Sequence, residues 1–70
     1  MTLLEAELGT EYLISEVRTE DEEMNSFLFT LGCYAGQPIT VVAKKRGTIV
    51  VSIKDARYTV DNNLASAIIV

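Results

Sequence analysis

The sequence predicts a mainly β domain: a small five-stranded barrel with one short α-helix over about residues 21–31 and a short helical turn before the last strand. Three observations carry this. Two runs of alternating apolar residues flank Lys45-Arg46-Gly47, which is the pattern of a hairpin. Met24, Phe27, Leu28 and Leu31 fall at i, i+3, i+4 and i+7, one helical stripe that stops at Gly32. Finally, 70 residues make one domain, 1–70, and short strands in so small a chain limit their exposed edges by curling into a barrel.

The elements follow in order. After a leucine-rich lead-in and a turn at Gly9, residues Tyr12 to Val17 read as a strand whose alternation slips between Ile14 and Val17, the mark of a bulge or a strand end. Thr19-Glu20-Asp21-Glu22 has capping-box spacing, with Thr19 as N-cap and Glu22 at N3. The acids then occupy the first turn, where the positive end of the helix dipole favours them. Gly32 stands where a helix commonly ends on a residue with positive φ. Gly36-Gln37-Pro38 is a turn into the strand Ile39–Ala43, and Ile49–Ile53 returns from the hairpin. Lys54-Asp55-Ala56 makes a second tight turn into Arg57–Val60, Asp61–Ala65 begins one helical turn, and Ala67–Val70 closes the chain as a strand. The helix is expected to close one end of the barrel, with its stripe inward.

Composition excludes several function classes. Half the residues are hydrophobic (49%) and 23% are charged, so the chain can build a core. Net charge is −4, the wrong sign for general nucleic-acid binding. Residues 1–23 hold eight acids against one base, net −7, and residues 24–70 hold five bases against two acids, net +3. Two solvated faces account for that polarity, which would also orient a charged partner. No apolar stretch is long enough to span a bilayer, so the protein is expected not to be membrane-embedded. The acidic N-terminus is unlike a signal peptide, and one cysteine can form no intramolecular disulfide, so a cytoplasmic setting is expected.

No catalytic constellation emerges. Without histidine, Cys33 has no imidazole base, and its place beyond a helix C-terminus does not favour a thiolate. It reads as a small buried hydrophobe. Gly32 and Gly36 lack the lysine and preceding strand of a phosphate loop. Glu20-Asp21-Glu22-Glu23 offers oxygen ligands for a hard cation, but capping and dipole compensation explain it more simply. Lys44-Lys45-Arg46 reads as a solubilising hairpin tip, and Asp61-Asn62-Asn63 as a cap rather than a calcium loop. The expectation is therefore no enzyme, no cofactor and no metal site. Phe29 falls off the apolar stripe and should be less buried than Phe27; beside Tyr34 it is a candidate binding anchor, with packing against the loop as the alternative.

The chain as a whole resembles the FeoA family. The resemblance rests on the lead-in TLLEAELG, on FLFTLGCYAGQPITVV with its Leu31-Gly32 pair and Gly36, and on GTIVVSIKDARYTVDNNLASAIIV with Leu64, Ala65, Ile68 and Val70. It implies an SH3-like barrel in which Leu31, Gly32 and Gly36 determine the fold. It further implies a non-enzymatic cytosolic accessory of bacterial ferrous iron uptake, whose partner is the cytosolic part of the FeoB membrane transporter with its GTPase domain. Similar SH3-like domains end iron-dependent repressors, so a metal-responsive regulatory domain is the alternative. No DNA-binding helical module is present in these residues, which favours the stand-alone form. A proline-peptide-binding SH3 module is disfavoured by the small number of aromatics. Phe29 and Tyr34 are the expected partner-binding pair.

Overall fold

The structure, a computed structural model, describes residues 1–70. Its strands are β1 (Glu11–Leu13), β2 (Glu16–Val17), β3 (Pro38–Lys45), β4 (Thr48–Ile53), β5 (Ala56–Asp61) and β6 (Ile68–Ile69). Helix α1 spans Glu22–Leu31 and α2 spans Asn62–Ala67, with a 3-10 turn at Leu3–Glu5. One antiparallel sheet has the order β1-β3-β4-β5, and a second pairs β2 with β6.

The region read as one strand at 12–17 is two. Tyr12 and Leu13 pair with Ile39 and Pro38, whereas Glu16 and Val17 pair with Ile69 and Ile68 in the other sheet. The slipped alternation marks that crossing: Ile14 is buried between them, and its backbone bonds both Gln37 and Gly36.

Strand β4 shows the alternation most clearly. Ile49, Val51 and Ile53 face the core, while Thr48, Val50 and Ser52 face outward. On β3, Ile39 and Val41 are buried, and a bulge between Val41 and Ala43 then shifts the register with β4. Gly47 turns the β3–β4 hairpin with φ +78°, and Lys54-Asp55 turns β4 into β5 with both residues at positive φ. Two such residues are what a tight primed turn requires.

The core also draws on the 3-10 turn, which the sequence reading did not resolve, and on the short helix expected before the last strand, which runs on to Ala67. The 3-10 turn buries Leu3, Ala6 follows it, and α2 buries Ala65 and Ala67. Asp61 caps α2 by accepting the Leu64 N–H at 2.8 Å. Helix α1, by contrast, has one fully buried residue, Leu28, with Met24 and Leu31 half-buried against the core. Phe27 was expected inside and is 49% exposed. The contact with the barrel is one residue wide at its centre, so a position on the flank of the stripe stays in solvent.

The N-cap of α1 also differs from the sequence reading. Asp21, not Thr19, caps it, accepting the N–H groups of Glu23 and Met24 at 3.0 and 3.1 Å. Thr19 Oγ1 instead accepts the Asp21 N–H at 3.1 Å and shapes the approach to the helix. A carboxylate satisfying two otherwise unpaired donors of the first turn is the stronger cap of the two. The helix stop is as expected. Gly32 has φ +96°, its N–H bonds Phe29 O at 3.0 Å, and the Cys33 N–H bonds Leu28 O at 2.9 Å, which together form a Schellman motif.

Candidate functional site

The Schellman turn places the two candidate aromatics side by side. It ends the helix three residues past Phe29 and turns the chain back, so that Tyr34 lies against Phe29. Their ring centroids are 5.0 Å apart at 34°, within the range of favourable offset pairs. Phe29 is 64% exposed, and Tyr34 is half-buried. Phe27, two residues back on α1, adds a second exposed aromatic ring on the same helix.

A third group completes the cluster, and it comes from the β4–β5 turn. The Lys54 ammonium lies 4.8 Å from the centre of the Tyr34 ring and donates a hydrogen bond to its hydroxyl. The lysine stem passes over Gly32, where a Cβ would lie 3.4 Å from Lys54 Cδ. Gly32 therefore ends the helix, and a side chain there would touch the Lys54 stem while crowding Ile53 Cγ2 at 3.2 Å. No sequence signal pointed to Lys54, which is twenty residues from Tyr34 and has no motif of its own. Gly36, φ +88°, returns the chain to β3 with open space around it. Leu31 is half-buried beneath the turn.

Lys54 also borders a shallow concavity of about 280 Å³ on the outer face of the four-stranded sheet, lined with Glu11, Pro38, Thr40, Ser52 and Asp55. Its lining is polar and open. The aromatic cluster thus sits at the junction of an exposed aromatic helix flank and a polar sheet face.

The remaining candidates are held in structural roles. Cys33, next to Tyr34 in the chain, is buried in the core, and burial pushes its thiol up to about 11, so it stays protonated at neutral pH. Glu16 and Arg18 form an exposed ion pair at 3.0 Å; the guanidinium lowers the Glu16 carboxyl and the carboxylate raises Arg18. At such exposure the pair contributes little to stability. Of the basic triplet, Lys44 reaches back to Leu4 O at 3.1 Å, and Lys45 and Arg46 are exposed. No three acidic, cysteine or histidine side chains are grouped to hold one metal ion, and no helix is long and apolar enough to cross a membrane.

The family model described as the FeoA domain matches residues 1–70. The chain belongs to the FeoA family. Solved structures agree in fold. A FeoA described as an iron uptake regulatory protein superposes with a TM-score of 0.86 at 20% identity, covering 97% of this chain and 91% of that one. The zinc-complexed FeoA of Stenotrophomonas maltophilia, described as a prokaryotic SH3 domain protein, gives 0.86 at 23% identity, covering 99% and 87%. A manganese-dependent transcriptional repressor gives 0.88 at 21%, covering 97% of this chain, which spans 39% of the repressor. The fold is SH3-like. No curated protein sequence matches the chain.

Proposed function

We propose that this FeoA-family protein is a non-enzymatic cytosolic accessory of bacterial ferrous iron uptake, which acts by docking on the cytosolic part of a FeoB-type transporter. The observation that carries the reading is the family match over the whole chain combined with an exposed aromatic cluster and no catalytic constellation. The Stenotrophomonas relative is described in terms of activating ferrous iron transport, which supports the same role here. Phe29, Tyr34 and the neighbouring Lys54 form the centre of the docking patch. Phe29 offers rigid apolar area with few torsions to freeze, and Tyr34 and Lys54 add polar groups already fixed in place, so little ordering is needed on binding.

The test is a paired one, measuring melting temperature and affinity for the transporter's cytosolic domain with wild type, Phe29→Ala and Leu28→Ala. Phe29→Ala should weaken binding about tenfold or more, as truncation of a hot-spot anchor does, and leave folding largely intact. Leu28→Ala should chiefly cost stability. Full affinity of a folded Phe29→Ala protein would remove the patch from the interface, and no binding by wild type would remove the proposed partner.

The fold shared with a manganese-dependent repressor favours a second reading, a metal-responsive regulatory domain. Anaerobic calorimetry with ferrous iron and manganese tests it. Heat of binding at micromolar metal would support it, and the absence of both heat and a shift in thermal stability would dismiss it.

A further inference from the structure

Strand β5 forms one edge of the four-stranded sheet and spans six residues, twice the length of the other edge. It pairs only with β4, over six residues and without a bulge. No hydrogen bond ties the backbone of residues 56–60 to any loop on the other side. The opposite edge, β1, is three residues long. Natural sheets blunt their edges by shortness, proline, a bulge or charged side chains. The sequence Ala56-Arg57-Tyr58-Thr59-Val60-Asp61 has no proline or bulge, and the two charges it carries are of opposite sign, so they complement rather than repel a second copy in the right register.

The charges on this strand are arranged symmetrically about Thr59. Arg57, Thr59 and Asp61 alternate on its exposed face, while Val60 is buried and Tyr58 is half-buried on the other. Arg57 has no ionic partner, since the one ion pair of the chain joins Arg18 to Glu16. Asp61 engages Oδ1 in capping α2, which leaves Oδ2 unbonded. We infer that β5 is a self-association edge, pairing antiparallel with β5 of a second copy across a two-fold axis at Thr59. In that register Arg57 of each copy lies opposite Asp61 of the other, and Tyr58 lies opposite Val60. Both charged pairs form at once because a two-fold interface presents the same patch from each side.

The register is selected by charge. Centring the axis on Arg57 or on Asp61 puts like charges face to face, which is destabilising. Centring it on Tyr58 sets Arg57 opposite Thr59 and Asp61 opposite Asp55 of the turn, and centring it on Val60 leaves the charges opposite neutral residues. The dimer gains one ladder of main-chain hydrogen bonds and two charged pairs with little apolar area, so its dissociation constant should fall in the micromolar-to-millimolar range. This edge is separate from the Phe29 patch, and a second copy on it leaves docking at that patch to be tested independently.

The experiment is sedimentation equilibrium of the full chain over a concentration series. Arg57→Glu, which sets carboxylates against Asp61 twice, and Thr59→Lys, which puts two ammonium groups on the axis, should each raise the dissociation constant about tenfold or more. Both positions are exposed, and circular dichroism verifies that the variants fold. In parallel, Thr59→Cys should be trapped as a dimer by a short bifunctional thiol reagent far more readily than Arg46→Cys on the hairpin tip, the native Cys33 being buried. A chain that stays monomeric up to about 1 mM overturns the inference. So does a dimer that is indifferent to both Arg57→Glu and Thr59→Lys.

Discussion

Gly32 and Gly36 offer a controlled comparison, because both hold a similar positive φ and they differ in what surrounds them. Their φ values are +96° and +88°. An alanine at either position carries the strain of a left-handed conformation, about 1–2 kcal/mol. At Gly36 a new Cβ meets nothing within 4 Å, so strain is the whole cost. At Gly32 the same atom would stand 3.2 Å from Ile53 Cγ2 and 3.4 Å from Lys54 Cδ. Ile53 is fully buried in β4 and has little room to retreat, so overpacking adds roughly 1–2 kcal/mol. The totals are about 1–2 kcal/mol for Gly36→Ala and about 2–4 kcal/mol for Gly32→Ala. At roughly 4–8 °C per kcal/mol for a domain of this size, the melting temperature should fall by about 5–15 °C and about 10–30 °C respectively. Thermal and urea unfolding of the two variants and wild type provide the assay. Equal losses would show that the crowding at Ile53 is relieved without cost. An unchanged melting temperature for either would show that the glycine does not hold a positive φ in solution.

Leu28→Ala empties the one fully buried position of α1 and should cost about 2–5 kcal/mol, against under about 1.5 kcal/mol for Phe29→Ala, which loses the Tyr34 ring contact; urea midpoints of the two rank them. Asp21→Ala removes the cap that holds two first-turn N–H groups and should cost about 1 kcal/mol, whereas Thr19→Ala should cost less, and the reverse order would restore Thr19 as the cap. The Cys33 thiol is held above its ordinary value of 9.0, at about 11, by burial. The stability carried by the neutral thiol is therefore complete below pH 9 and declines as pH rises toward 11. Thiolate absorbance should rise with a midpoint near 11 in the folded protein and near 9 in denaturant, and a folded midpoint below 9 would contradict the burial.

The sequence by itself determined the features that depend on a few adjacent residues. Leu31-Gly32 stops the helix because a residue without Cβ takes the left-handed conformation without strain, and the structure has it there. Ile49, Val51 and Ile53 face inward because a strand alternates, whatever it packs on. The adjacency of Phe29 and Tyr34 follows from the same helix stop, five residues of chain being enough to carry it. The tertiary structure alone decided how wide a seam α1 presents. A helical stripe gives the direction of burial and not the width of the neighbouring surface, and the barrel takes Leu28 fully while leaving Phe27 in solvent. It likewise decided that residues 11–17 serve two sheets, because the partners of that segment, Ile39 and Ile68, lie far along the chain. Lys54 joins Tyr34 for the same reason: the β4–β5 turn delivers it across twenty residues, and nothing local to either side chain specifies the other.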